Sequence, residues 1–253
     1  MNKLHRLGDI LYTFDTNELF SHYKLSGTSA LQFLIFDIGF ITNTLYFDLD
    51  SDAPIEAINE YRRSVNKELP LLLQKKNFTL DTKKTELKGY LDTYAFIDNH
   101  TKEHFYIKFD YLNRVHILKP EYFARKDKDF EDLHIYSLST LENYARYFVE
   151  YNEGMSDETI LNYLMINKKI LPQQYPFLKK ITMFYLGMST SKSNLERIYT
   201  NTYLKDILNF NDDELKYLRQ IEENIFEPHL ILPQTMANKV IKHPKIKFLM
   251  REK

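Results

Sequence analysis

The sequence predicts an α+β protein in two parts: strands and helices over 1–132, then an α-helical bundle over 133–253. Three observations lead there. Thr44-Leu45-Tyr46-Phe47-Asp48-Leu49-Asp50 alternates apolar and polar residues, the period of a half-buried strand. That alternation recurs in short runs between Phe78 and Leu118, broken by turn-forming residues. From about Asp132 it gives way to apolar residues at helical spacing, punctuated by Gly154, Pro172, Gly187 and Pro228.

Composition narrows the function classes. The chain has 253 residues, 43% hydrophobic and 27% charged, enough for a sizeable core and too apolar for disorder. A formal net charge of −1 supplies no overall attraction to nucleic acid, so any such contact must be a local patch. Without cysteine there are no disulfides, no thiol nucleophile and no thiolate zinc site, which suits a reducing cytoplasm. Met1–Arg6 is followed by no apolar run, so no signal peptide is expected. The densest apolar run, Ala30–Phe36, ends at Asp37, too short to span a bilayer. A soluble cytoplasmic protein is the expectation.

Taken in order, Asp15 and Thr16 are helix-start residues ahead of Glu18–Tyr23, after a short N-terminal segment. Gly27 then opens an apolar helix. In a chain with six glycines, that position suits close approach of a phosphate to a helix N-terminus. It equally suits a strand-to-helix turn capped by Thr28 or Ser29. After the strand at Leu45–Asp50, Pro54 opens a helix with Ile55, Ile58, Tyr61, Val65 and Leu69 on its buried face, interrupted at Pro70. Strands are predicted at Phe78–Asp81, Leu87–Ile97, Phe105–Tyr111 and Val115–Leu118, the last three joined as antiparallel hairpins. His100 and His104 fall in a hairpin turn, where helical spacing does not bring them together as zinc ligands. Helices follow at Thr140–Tyr151, Asp157–Asn167, Tyr175–Met188, Leu195–Phe210, Asp213–Asn224 and Gln234–Ile241. Ser139/Thr140, Ser156/Asp157, Ser193 and Asn211/Asp212 stand at capping positions. The basic tail, with Lys239, Lys242, Lys245, Lys247, Arg251 and Lys253, suits a solvated face or RNA phosphates.

The chemistry concentrates in the acids. Side chains two apart on a strand share a face, so Asp48 and Asp50 lie abreast. Such a pair is tolerated when the face is wet, when one acid is protonated, or when a cation such as Mg²⁺ sits between them. Asp110 closes Tyr106-Ile107-Lys108-Phe109-Asp110 on the polar side of its strand. If that strand neighbours Asp48, three acids face a glycine-led helix, the makings of a metal–nucleotide site. If it does not, the chain reads as an unrelated interaction protein.

Ser26-Gly27-Thr28-Ser29-Ala30-Leu31, then Asp48-Leu49-Asp50, then Ile107-Lys108-Phe109-Asp110 resemble the motifs of the AbiEii/AbiGii toxin family of nucleotidyltransferases. His243-Pro244 is similar to that family's closing segment. The resemblance implies a nucleotidyltransferase-like mixed-sheet domain followed by a helical bundle. It further implies transfer of a nucleoside monophosphate from an NTP to RNA, tRNA or a protein hydroxyl. In that reading Asp48, Asp50 and Asp110 are catalytic and hold Mg²⁺, while Gly27 and Thr28 contact the triphosphate. A toxin–antitoxin or abortive-infection role, with an antitoxin protein as partner, is implied in the same way. The chain departs from the family at Ser26, in place of a first glycine, and at Tyr46, in place of a serine. The family's later lysine has no counterpart; Arg146 is the nearest basic residue after the similar Leu138–Glu142 start, and Asp157 the remaining acid. These departures leave a second expectation, a catalytically silent nucleotidyltransferase-like module that binds a protein partner.

Overall fold

The computed structural model describes residues 3–34, 42–49, 57–111, 116–125, 133–155, 157–188, 196–222, 228 and 232–242. The chain divides into two compact units. One comprises Met1–Phe33, Phe40–Arg114 and Pro120–Leu138; the other comprises Leu34–Gly39, Val115–Lys119 and Ser139–Lys253. Among the described residues, no helix is long and apolar enough to cross a membrane.

The first unit is organised by a mixed sheet of β1 (Tyr23–Ser26), β2 (Thr44–Leu49), β3 (Phe78–Leu80), β4 (Glu86–Leu87), β5 (Leu91–Asp98), β6 (His104–Asp110), β7 (Glu121–Arg125) and β8 (Leu133–Ser137). The strands lie in the order β3-β5-β6-β2-β1-β8-β7, with β4 beside β5. Two ladders are parallel, β2 with β6 and β1 with β8. The others are antiparallel, including the β5–β6 hairpin expected from the turn at Asp98-Asn99-His100.

Alternation decides which face of the sheet is buried. Leu45, Phe47 and Leu49 of β2 and Phe105, Ile107 and Phe109 of β6 point into the core. They join Leu7, Ile10, Leu11 and Phe14 of α1 (Lys3–Asp15) and Val65, Leu69 and Leu73 of α3 (Ile58–Gln74). Aromatic rings fill the centre: Phe14 lies 4.0 Å from Phe20 and 4.6 Å from Phe47, centroid to centroid. Burial of such side chains is the main favourable term in folding.

Several elements differ from the sequence expectation. The N-terminal segment is a helix, α1, because Leu7, Ile10, Leu11 and Phe14 follow helical spacing and all are buried. Asp15 therefore ends a helix. Glu18–Phe20 is one 3-10 turn capped by Asn17, and Tyr23–Ser26 is a fully buried strand. α3 continues through Pro70, since its buried stripe Val65–Leu69–Leu73 spans the proline. Its predicted start at Pro54 and Ile55 lies outside the described residues. Residues 116–118 form no strand. Instead β7 and β8 follow, and Leu133-His134-Ile135-Tyr136-Ser137 alternates beyond Asp132.

The second unit is helical where described: α4 (Thr140–Asn152), α5 (Glu158–Ile166), α6 (Tyr175–Met188), α7 (Glu196–Thr200), α8 (Thr202–Leu208), α9 (Asp212–Glu222) and α10 (Gln234–Ile241). Ser139 caps α4 by accepting the Glu142 N–H at 3.2 Å, and Asp157 caps α5 by accepting the Thr159 N–H at 2.6 Å. The single helix expected over Leu195–Phe210 is two. Asn201, 3% exposed, accepts the Leu204 N–H at 3.1 Å and so starts a new helix inside that span.

Candidate active site

Strand register places the acids. β2 and β6 pair so that Asp48 stands directly beside Asp110. Partners in register share a face, on strands about 4.8 Å apart. Extending the row across the sheet gives Lys24 of β1, Asp48 of β2, Asp110 of β6 and Leu91 of β5. The next row on that face is Ser26, Tyr46, Lys108 and Thr93. A polar face therefore runs across the middle of the sheet, opposite the aromatic core.

Asp48 is 2% exposed, and the Ser26 hydroxyl donates to its Oδ1 at 3.0 Å. The residue that departs from the family's glycine is thus a hydrogen-bond donor to the first acid. Lys24, 6% exposed, stands opposite Asp48 in the ladder. Its Nζ donates to the Ser21 carbonyl at 2.6 Å and lies 4.9 Å from the Tyr136 ring centroid. Lys108 donates to the Tyr46 hydroxyl at 3.3 Å and sits over that ring at 5.0 Å. Asp110 is half-buried. Asp50, the second acid of the pair, lies outside the described residues, as does His243-Pro244. Among the described residues, no group of three or more His, Cys, Asp or Glu could hold a metal ion.

α2 (Gly27–Leu34) begins where β1 ends. Gly27 has φ +62°, a backbone region costly for residues with a Cβ, and among the described residues no neighbouring group stands within 4 Å of where a Cβ would sit. Thr28 follows in the first turn, half-buried. Ser29 ties the turn to the acid-bearing strand: its hydroxyl donates to the Ser26 carbonyl at 2.7 Å and accepts the Tyr46 N–H at 3.0 Å. The open space above Gly27 therefore sits on a braced turn beside Asp48.

The remaining candidates have other partners. His104 Nε2 lies 3.1 Å from Asp81, and the His100 N–H donates to Asp98. In the second unit, Arg146 is 4% exposed with its guanidinium 5.2 Å from the Tyr185 ring centroid. Glu142 is fully buried; its carboxylate accepts the Ile117 N–H and the Tyr185 hydroxyl, each at 2.6 Å. Lys239 and Lys242 of the basic tail are exposed, and 243–253 lie outside the described residues.

No family model matches the chain, and no curated protein matches its sequence. In shape it is similar to the solved structure of MenT4, a nucleotidyltransferase toxin from Mycobacterium tuberculosis H37Rv. The TM-score is 0.61 at 12% identity, over 87% of this chain and 90% of that one. The fold is nucleotidyltransferase-like. A second solved structure, from H. pylori, superposes at TM-score 0.30 with 10% identity over 100% of this chain and 96% of that one, too low to bear on the fold.

Proposed function

We propose that the chain is a nucleotidyltransferase that moves a nucleoside monophosphate from an NTP to an acceptor hydroxyl. The observation that carries this reading is the register of Asp48 with Asp110 beside a helix N-terminus led by Gly27. Two carboxylates abreast on one polar face suit a hard divalent cation, which takes oxygen ligands, and Asp50 is the third candidate ligand. The chemistry Mg²⁺ supplies when bound is charge neutralisation on the phosphate oxygens and alignment of the leaving pyrophosphate.

The chain's own groups do the rest. The N–H groups of the first turn of α2, together with the Thr28 hydroxyl, hold the β- and γ-phosphates. Ser26 holds the Asp48 carboxylate in place by donating to it. Asp110 accepts the proton of the acceptor hydroxyl as its oxygen bonds to the α-phosphorus. The bond from that phosphorus to the bridging oxygen breaks, and pyrophosphate leaves. The acceptor is RNA, such as tRNA, or a protein hydroxyl. A toxin role in the cytoplasm, held in check by an antitoxin protein, completes the reading, as does membership of the AbiEii/AbiGii toxin family. We assign the transferase chemistry to the unit that carries the sheet and the helical bundle to the unit that holds Ser139–Lys253; the boundary expected at 132 shifts because Leu133–Ser137 form β8 of that sheet.

A binding module without transfer activity is the second reading. It is favoured by the Ser26 hydrogen bond, which stabilises a buried carboxylate without a metal ion. One titration separates the two. Each NTP is added to the purified chain with and without Mg²⁺, beside the Asp48→Ala/Asp110→Ala variant. The transferase reading expects Mg²⁺-dependent binding that the double variant loses; absence of binding for every NTP favours the silent module.

A further inference from the structure

Lys108 stands on the face of the sheet that carries the acids. It lies two residues before Asp110 on β6, so the two side chains leave the same side of the strand, about 7 Å apart. Its ladder partner on β2 is Tyr46, and Tyr46 pairs in turn with Ser26, the residue before Gly27. The Lys108 ammonium leans along this row toward β2: it donates to the Tyr46 hydroxyl at 3.3 Å and lies 5.0 Å from the centre of that ring. At the other end of the row Glu86 pairs with Thr93, and its carboxylate is taken by Lys88 at 2.7 Å.

Charge is therefore unbalanced at this point. Lys108 is half-buried, and among the described residues no carboxylate forms an ion pair with it. An aromatic face and one neutral hydroxyl hold an ammonium less strongly than an anion does. A cation kept in that state on a polar face attracts an anion from outside the chain.

Position names the anion. The Tyr46 N–H donates to the Ser29 hydroxyl at 3.0 Å, which ties the residue beneath Lys108 to the first turn of α2. Lys108 and Ser26 are two strands apart, about 10 Å between backbones, and the Lys108 side chain reaches into that interval. Phosphates resting on the Gly27 turn have helix N–H groups on one side and Lys108 on the other, with Asp48 and Asp110 in the next row. We propose that Lys108 binds the leaving pyrophosphate of the NTP, a role that rests on the transferase reading above. When the bond from the α-phosphorus to the bridging oxygen breaks, its electron pair passes to pyrophosphate. The ammonium keeps its protons and neutralises the charge that gathers there. Tyr46 positions the ammonium from below.

The test uses the full chain, with Lys108→Met to remove the charge at similar length and Lys108→Arg to keep it. Each protein is titrated with Mg²⁺-NTP, Mg²⁺-pyrophosphate and a nucleoside monophosphate. Lys108→Met is expected to bind the first two about tenfold or more weakly and the monophosphate as wild type does. Its kcat for transfer should fall about a hundredfold, and Lys108→Arg should recover most of both losses. NTP and pyrophosphate affinities equal to wild type in Lys108→Met overturn the inference and leave the transferase reading standing. An equal loss for all three ligands also overturns it, since Lys108 then only shapes the site. Wild-type chain that binds no NTP removes the transferase reading and this inference with it.

Discussion

Asp48 makes a heavy demand on its surroundings. A carboxylate 2% exposed, beside a second one in register, is costly unless hydrogen-bonded or paired. Ser26 meets part of that demand directly. In the transferase reading a cation meets the rest, so Asp48→Asn and Asp110→Asn should each lower transfer at least about a hundredfold while circular dichroism stays native. Retention of most activity in either variant would remove that acid from the site. Gly27 makes a different demand. An alanine there meets no crowding but must adopt φ +62°, at about 1–2 kcal/mol, and its methyl enters the space given to the phosphates. Gly27→Ala is therefore expected to lower the melting temperature slightly and NTP affinity markedly. Undiminished NTP affinity in that variant would place the phosphates elsewhere.

At the scale of elements, periodicity and packing sometimes disagreed. Helical spacing in Leu7, Ile10, Leu11 and Phe14 was present in the N-terminal segment, and so was the alternation of Leu133–Ser137. Both were legible, but short runs fit more than one element until a partner buries them. Pro70 is the opposite case. Its lack of an N–H and its ring argue for a helix end, yet the stripe Val65–Leu69–Leu73 buries against the core and holds the helix together across it. The proline is then a cost that packing outweighs. Pro70→Ala is expected to stabilise the chain, by up to about 3 kcal/mol on the propensity scale, read as a higher midpoint in urea. A lower midpoint would mean that the proline sets a geometry the core requires.

Across the whole molecule, one buried ion pair that joins distant parts of the chain contributes to stability against acid. Arg6 of α1 binds Asp98, at the end of β5, through Nε and Nη2, each at 3.0 Å. The two groups are 3% and 0% exposed. Burial alone raises the Asp98 pKa; the Arg6 guanidinium, the His100 N–H and the Thr101 hydroxyl outweigh it and hold it below the usual 3.8. A carboxylate with a lowered folded pKa contributes stability that is complete above its unfolded pKa and fades as pH falls through the folded value. Unfolding free energy should therefore decline as pH drops below about 4. Arg6→Ala leaves a buried charge without its partner and should cost about 3–5 kcal/mol at neutral pH. It should also move the onset of acid unfolding to higher pH. An unchanged acid profile in that variant would show that other carboxylates govern it.

The sequence on its own settled which residues share a face, because backbone geometry makes side chains alternate along a strand and recur every third or fourth residue along a helix. Asp48 on the polar side of one strand, Asp110 on the polar side of another, and the helix that begins at Thr140 all follow from that. Which strands are neighbours does not, because strand order is set by long-range burial rather than by local spacing. The parallel pairing of β2 with β6 brought Asp48 against Asp110 across the intervening α3 and β3–β5. The antiparallel pairing of β1 with β2 put Lys24 and Ser26 on the same face. Only folding turned separate acids into a row, because only a shared sheet gives residues so far apart in the chain a common register.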